Sequence, residues 1–319
     1  MRRSSYINDW GLLARATADR NDELLFNAVE NQKSTLDWYA EEDDQLFGFR
    51  IESSESLSNV FGFKTFMVNF FFKNVAFDFD QNNVEVYKVL ILNIKKKIDN
   101  IPGYYILRVP ASNVNLIDSI NNELHNTIFC GSSVLFLCTS AKDEISINDG
   151  IVVQEAGEDD IAKDKKTLQK MGFESFNSYF GQYHISRITR GKAPILYENW
   201  TKEYIEDGRG IIIVAKDNQK VAGFLACEES EHSFEMVLSA VDENYRGNKI
   251  YERMIREGTR IALEKGKIAT LATQVNNYPV QRAWINIGFK PYFSFYMMHI
   301  NCLRSEERRV GKECFVPCR

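Results

Sequence analysis

The residues around position 246 carry a pattern suited to holding an anion. The stretch NYRGNKIYERMIREGTRIALEKG (244–266) opens with Arg246-Gly247 and runs on as a long helical pattern, and the strand-like FEMVLSAV (234–241) precedes it. A strand that turns into a helix leaves the first backbone N–H groups of the helix without intrahelical partners at its positive end, and phosphate oxygens bind there. Arg246 and Lys249 add charge of the matching sign, while Gly247 allows the backbone to approach a ligand closely. The same residues also fit a solvated basic helix start, since strand, turn and helix recur in many folds.

Positioning this turn requires a sheet and helices on both sides of it. In the first half, NVEVYKVLILNIKKKIDN (83–100) places Val84, Val86, Val89, Leu90, Leu92, Ile94 and Ile98 near helical spacing, which predicts a helix. A strand-like IPGYYILRVP, a second helix near 113–125 and the apolar strand SVLFLCTS (133–140) follow. The polar segment SAKDEISINDG (140–150) has no apolar periodicity and sets the expected domain boundary at 148/149. Beyond it come a strand at 151–155, helices at 159–171 and about 193–206, and two strands joined at Asp217-Asn218-Gln219 as a hairpin. Strand 234–241, the basic turn and its helix, strand 268–275, a helix ending at Ile287-Gly288 and a strand near 292–300 complete the chain. Both halves end helix, strand, helix, strand, as an ancestral duplication would leave them. Alternation along 234–241 puts Glu235, Val237, Ser239 and Val241 on one face and Met236, Leu238 and Ala240 on the other, unless a bulge intervenes.

The bulk numbers narrow the function classes. With 319 residues, 44% hydrophobic and 26% charged, the chain is long enough for two domains, and a formal charge of −5 gives no electrostatic case for nucleic acid or an anionic membrane as partner. The longest apolar runs, such as FMVNFFF (66–72), are far shorter than a membrane span, and MRRSSYINDW lacks a signal-peptide core, so a cytoplasmic protein is expected. Six cysteines show no metal spacing; Cys314 and Cys318 form a C-x3-C without a second pair, and no metal site is expected. The run RSEERRVGKEC (304–314) is what a common sequencing-library adapter encodes, so residues 304–319 are set aside as read-through. Residues 1–303 then hold 34 basic and 41 acidic residues, a formal charge of −7.

Strand, basic turn, helix, strand, Asn277 and Gly288-Phe289 together resemble the GNAT acyltransferase superfamily over about 150–300. The resemblance implies an α/β (α+β) fold of two tandem GNAT-like domains, each a mixed, mostly antiparallel twisted sheet flanked by helices. Residues 1–148 would lack the cofactor turn and 149–303 would bind acetyl-CoA. The family's turn reads Arg or Gln, two residues, Gly, one residue, then Gly or Ala; Arg246 matches, and Lys249 and Tyr251 occupy the two small-residue places. A Cβ at Lys249 demands a compatible backbone conformation. Cofactor contacts are carried over to Ser239, Val241, Arg246, Gly247, Asn248, Lys249, Ile250, Tyr251 and Asn277, although Asn277 alone also reads as a helix N-cap.

Glu235 stands where the histone acetyltransferase branch places its general base. Attack by an amine requires a neutral nitrogen, which a carboxylate within reach can provide; the alternative is an exposed strand glutamate. Trp284 lies where many members carry a tyrosine that protonates the departing thiolate, and indole cannot do so. Tyr292 or Tyr296 could take that place, or solvent could, since the thiol's ordinary pKa is about 8.5.

FNSYFGQYHISRITRGKAPILYENW (176–200) and SFYMMHI (294–300) resemble TDP-fucosamine and related sugar-nucleotide N-acetyltransferases. That likeness makes Tyr183, His184 and Arg187 candidates for an acceptor pocket, against the alternative that they pack an aromatic-rich helix edge. The first half offers Asp78 and Asp80 before its helix and no basic turn, so a structural or acceptor-shaping part is expected of it. The expected activity is transfer of acetyl from acetyl-CoA to a primary amine, an amino-sugar nucleotide being the favoured small-molecule acceptor. A peptide or small amine, or a non-catalytic CoA-binding module, are the alternatives, and a homodimer is compatible with each.

Overall fold

The computed structural model describes residues 4–7, 15, 16, 19, 22–42, 44–75, 84–142, 150–177, 181–206, 208 and 210–303. Two compact units are interleaved along the chain. The first draws on residues up to Ser133, on Gly181–Lys192 and on residues from Ser294; the second on Val134–Phe180 and Ala193–Phe293. A single linear boundary at 148/149 was expected, whereas the units exchange chain at 133/134, 180/181, 192/193 and 293/294.

In the first unit, β2 (Trp38–Glu42), β3 (Gln45–Ser53) and β4 (Thr65–Val75) run antiparallel in turn, and β4 pairs in parallel with β5 (Tyr104–Pro110). Phe70, Phe71 and Phe72 are all buried, because β4 is central and covered on both faces. The β4–β5 pairing runs only from Thr65↔Tyr104 to Val68↔Leu107; beyond it, β1 (Ser4–Ile7) joins β4 at Phe71, Phe72 and Val75. The crossover between β4 and β5 contains α3 (Val84–Asn100), after α1 (Asp22–Gln32) and α2 (Glu55–Phe61), and α4 (Val114–Glu123) follows β5. Tyr87, Leu90, Ile91, Ile94 and Ile98 form the buried stripe of α3. Val89 and Leu92, expected inside, are exposed because that stripe is centred one residue away from them. The far edge of β5 is taken by the end of β12 (Lys290–Asn301), antiparallel from Phe295↔Pro110 to Asn301↔Tyr104.

The second unit is a sheet in the order β7 (Ile151–Glu155), β8 (Ile211–Asp217), β9 (Lys220–Glu229), β10 (Ser233–Val241) and β11 (Ile268–Gln274). The β8–β9 hairpin turns on Asn218-Gln219, as expected, with Asn218 at φ 53°. Helices α5 (Glu158–Asn177) and α7 (Ala193–Glu206) cover one face through Leu168, Met171, Tyr197 and Tyr204. On the other face α8 (Ile250–Glu264) and α9 (Tyr278–Ile287) pack through Met254, Ile255 and Trp284, together with Val134, Phe136 and Cys138 from β6 (Thr127–Cys138). A Cβ at Gly258 would lie 2.8 Å from Met236 Sδ, so α8 approaches β10 as closely as a glycine permits. Sheet and helix mixtures in both units agree with the expected fold class. The last strand near 292–300 exists, and its partner is β5 of the first half.

Candidate functional site

The site is built on β10. Its parallel pairing with β11 covers Ser233↔Ile268, Phe234↔Ala269 and Glu235↔Thr270 and goes no further. Against β9 the register slips at Val237: Met236 faces Cys227, whereas Leu238 faces Ala226. One extra residue on β10 is a β-bulge, and it falls where β10 and β11 part. In the first unit the corresponding gap beyond the β4–β5 pairing is occupied by β1, and β3–β4 runs without a register shift from Leu46↔Lys73 to Ser53↔Phe66. Among the described residues no strand takes that place beside the second half of β10.

The bulge also reverses which way side chains point. Phe234 and Met236 pack toward α8, while Leu238 and Ala240 pack toward α5 and α7. Glu235 therefore shares the α5/α7 side with Leu238 and Ala240, and Ser239 and Val241 take the α8 side. The uninterrupted alternation that grouped Glu235 with Ser239 and Val241 does not hold, because the unpaired residue shifts the period-2 pattern by one.

Beyond β10, Asp242 caps the 3-10 turn Glu243–Tyr245 by accepting from the Asn244 backbone N–H at 2.9 Å. That bond holds the Asp242 carboxyl below its ordinary range. Arg246, Gly247, Asn248 and Lys249 are exposed and lead into α8. Gly247 sits at φ 86° and Lys249, the N-cap, at φ 55° and ψ 15°, a left-handed turn that a non-glycine residue enters at a cost. Lys249 makes no side-chain cap bond, so the first-turn amides of α8 suit an external anion. Ile250 is buried in the α8-side core, which limits any ligand contact to its backbone N–H. Tyr251 packs against the same core, and its hydroxyl accepts the indole N–H of Trp284 at 2.8 Å.

Asn277 follows β11 at the N-cap position of α9 without a side-chain cap bond; its Nδ2 donates instead to Thr273 Oγ1 at 3.0 Å. The end of α9 closes on Gly288 at φ 124°, where Gly288 and Phe289 both donate to the Trp284 carbonyl. Trp284 is buried edge-on to Phe136, 5.3 Å between centroids.

The remaining candidates are dispersed. Tyr292, in the second unit, lies beside Phe293 at the start of β12, whereas Tyr296 belongs to the first unit and meets Phe129 edge-on at 5.5 Å. Tyr183, His184 and Arg187 also fall in the first unit, on and just after α6 (Gln182–Ile185). Tyr183 is packed against Phe61, and burial pushes its phenol up to about 12. His184 Nδ1 accepts the Gly181 N–H at 3.3 Å, and burial followed by the nearby Arg190 charge pushes its pKa down. Arg187 is exposed. Asp78 and Asp80 lie outside the described residues. Among the described residues no group of three or more His, Cys, Asp or Glu could hold a metal ion, and no helix is long and apolar enough to cross a membrane.

Two residues of the second unit were not foreseen. Glu228 is the cross-strand partner of Glu235, and Thr270 is its partner on β11. The connection turns on Glu231-His232, closed by the Ser230 N–H donating to the Ser233 carbonyl, and that register brings Glu228 opposite Glu235.

A family model described as the acetyltransferase (GNAT) family matches residues 174–289. These residues form a GNAT acetyltransferase domain. The GNAT domain holds the turn, the bulge, Glu235 and Asn277, all within the matched span. The chain is also 25% identical over 140 residues to the spore coat polysaccharide biosynthesis protein SpsD of Bacillus subtilis (strain 168), covering 43% of this chain and 47% of that protein. It thus spans about half the length of the curated relative it matches. Among solved structures, a GCN5-related N-acetyltransferase from Sphaerobacter thermophilus matches with a TM-score of 0.54 at 11% identity, covering 92% of this chain and 91% of that one. An acetyltransferase of the GNAT family from Colwellia psychrerythraea matches with a TM-score of 0.48 at 11% identity over 80% and 81%. The first likeness extends the fold over both halves of the chain.

Proposed function

We propose that the GNAT domain transfers acetyl from acetyl-CoA to a primary amine by direct attack, with an amino-sugar nucleotide as acceptor. The observation that carries this reading is the parting of β10 from β11 at a bulge, beside a helix N-terminus suited to phosphate. A pantetheine-like chain running from that terminus along the parted strands meets unpaired backbone near Val237. The residues present fit such a co-substrate: the first-turn amides of α8 with Arg246 and Lys249 would hold the pyrophosphate, and Asn277 borders the β11 side. When bound, acetyl-CoA supplies the activated acyl group. Glu235 takes the proton that makes the amine nucleophilic, and Tyr292 or Tyr296 is proposed to protonate the leaving sulfur. Tyr183, His184 and Arg187 are proposed to shape the acceptor's surroundings rather than to hold the cofactor. The Bacillus relative's part in spore coat polysaccharide biosynthesis supports a sugar-linked acceptor.

Calorimetric titration of the full chain with acetyl-CoA, followed by thiol release on a panel of TDP- and UDP-linked amino sugars, peptides and small amines, tests the reading. Binding and turnover with an amino-sugar nucleotide are expected. Absence of binding at millimolar acetyl-CoA would sink the acetyl-transfer reading, and turnover confined to peptides would replace the acceptor.

A further inference from the structure

An open groove of about 480 Å³ lies in the first unit, between α2, β4 and the loop that follows α3. None of its lining residues belongs to the matched GNAT domain. The floor is apolar, made by the Phe66 ring and by Ile101, whose side chain is 43% exposed. One face of Phe66 is stacked on Tyr105, 4.9 Å between centroids at 17°, and the Tyr105 hydroxyl donates to the Ile101 carbonyl. Gly103 lets the ring lie there, since a Cβ at that position would sit 2.6 Å from Phe66 Cε2. The aromatic platform is thus set before any ligand arrives, which lowers the cost of binding to it.

One wall of the groove is α2. Its buried side carries Leu57 and Phe61, while Glu55, Ser58 and Asn59, at i, i+3 and i+4, line the groove. Ser58 Oγ donates to the Ser54 carbonyl at 2.6 Å and accepts the Thr65 N–H at 2.9 Å, which ties that wall to β4. Lys64 borders the groove as well, and it brings a charge opposite to that of Glu55.

The volume falls within the range of small-molecule sites, roughly 300–1,000 Å³. The face of an aromatic ring is negative, and the C–H bonds on one side of a pyranose meet such a face well. Around it the rim offers donors from Lys64 and Asn59 and acceptors from Glu55 and Asn59, the mixture that a ring of hydroxyl groups requires. One cation and one anion leave the groove without net charge, so it has no preference for a phosphate or a carboxylate. We infer that this groove is a saccharide-binding site, which takes a neutral pyranose with its C–H face on Phe66 and its hydroxyls on Glu55, Asn59 and Lys64. The site goes beyond acetyl transfer and does not depend on it.

The test titrates the full chain with the methyl glycosides of glucose, galactose, mannose and N-acetylglucosamine, and with uridine as a flat-ring control, reading binding by saturation-transfer NMR. At least one glycoside is expected to bind with a Kd on the order of 1 mM, as a ligand of roughly a dozen heavy atoms allows. Phe66→Leu should weaken it by roughly 10-fold, and Asn59→Ala and Glu55→Gln by roughly 3- to 10-fold each. Asn59 and Glu55 are exposed, so those two variants test the site even where Phe66→Leu disturbs the fold, and an unchanged Tm is the check on each. No glycoside signal at about 20 mM, roughly 20-fold above that Kd, overturns the site. So does a Kd that Asn59→Ala and Glu55→Gln both leave unchanged, which would place the sugar elsewhere on the protein, or binding of uridine with every glycoside silent.

Discussion

The indole N–H of Trp284 donates to the phenolic oxygen of Tyr251 across 2.8 Å, joining α9 to the first turn of α8. These are two of the positions at which the chain departs from the GNAT pattern, and each departure supplies the other's partner. Trp284 is almost fully buried, so an indole N–H left unanswered would be costly. A double-mutant cycle of Tyr251→Phe and Trp284→Phe by urea unfolding should show a coupling of about 0.5–1.5 kcal/mol. Additive losses would mean that the bond contributes nothing to folding.

Lys249 at φ 55° holds a left-handed conformation that glycine adopts freely. Lys249→Gly should therefore stabilise the protein by about 0.5–1 kcal/mol, partly offset by the greater freedom of glycine in the unfolded chain, and raise Tm by roughly 1–3 °C. A lowered Tm would indicate that the lysine side chain contributes more than its backbone costs.

Glu235 and Arg246 separate chemistry from binding. Glu235→Gln should lower kcat by roughly 10^2 to 10^4 near neutral pH and leave acetyl-CoA affinity nearly unchanged. Arg246→Ala should weaken acetyl-CoA by about 1–3 kcal/mol, with a smaller effect on the chemical step. Full kcat in Glu235→Gln with saturating acceptor would return Glu235 to the role of a strand carboxylate.

His299 gives stability a pH dependence. Its Nδ1 bonds the Tyr104 hydroxyl at 2.8 Å, its Nε2 faces Gln182 Oε1 at 3.4 Å, and burial pushes its pKa down to about 3. The unfolded chain takes up a proton near pH 6.5 that the folded protein refuses until about pH 3. The contribution is complete above pH 6.5 and is lost as pH falls through that window, about 2 kcal/mol between pH 7 and pH 5. His184, pushed the same way by burial, adds to the loss. Asp160 and Glu229, held low by hydrogen bonds from Lys216 and Lys265, stay ionised through it. Urea unfolding at the two pH values should give a shallower loss for His299→Gln than for the wild type; equal losses would assign the slope elsewhere.

The order of elements from residue 84 onward was legible because apolar spacing and turn residues mark each of them locally. The α8 terminus was legible for the same reason: Arg246-Gly247 between a strand and a helix is a local signal. The bulge was not, since an extra residue in β10 is defined only against β9, and nothing in EMVLSAV itself places it at Val237. That single residue put Glu235 on the opposite side from Ser239 and Val241. Tyr251 and Trp284 read as two separate departures because a hydrogen bond between residues 33 apart leaves no periodic trace. The division into units escaped a linear reading for a similar reason: β12 follows α9 in sequence but completes the sheet beside β5.

That last pairing has a consequence for how the protein is made. Tyr104 to Pro110 leave the ribosome roughly 190 residues before Phe295 to Asn301, an interval of roughly 10 to 40 s at about 5–20 residues per second. Throughout it, one side of β5 presents unanswered backbone N–H and C=O groups in the apolar setting of Tyr104, Tyr105, Ile106 and Leu107. The nascent first half therefore waits on Phe295 to Asn301 before that edge is paired, and through that interval it is exposed to pairing with another chain.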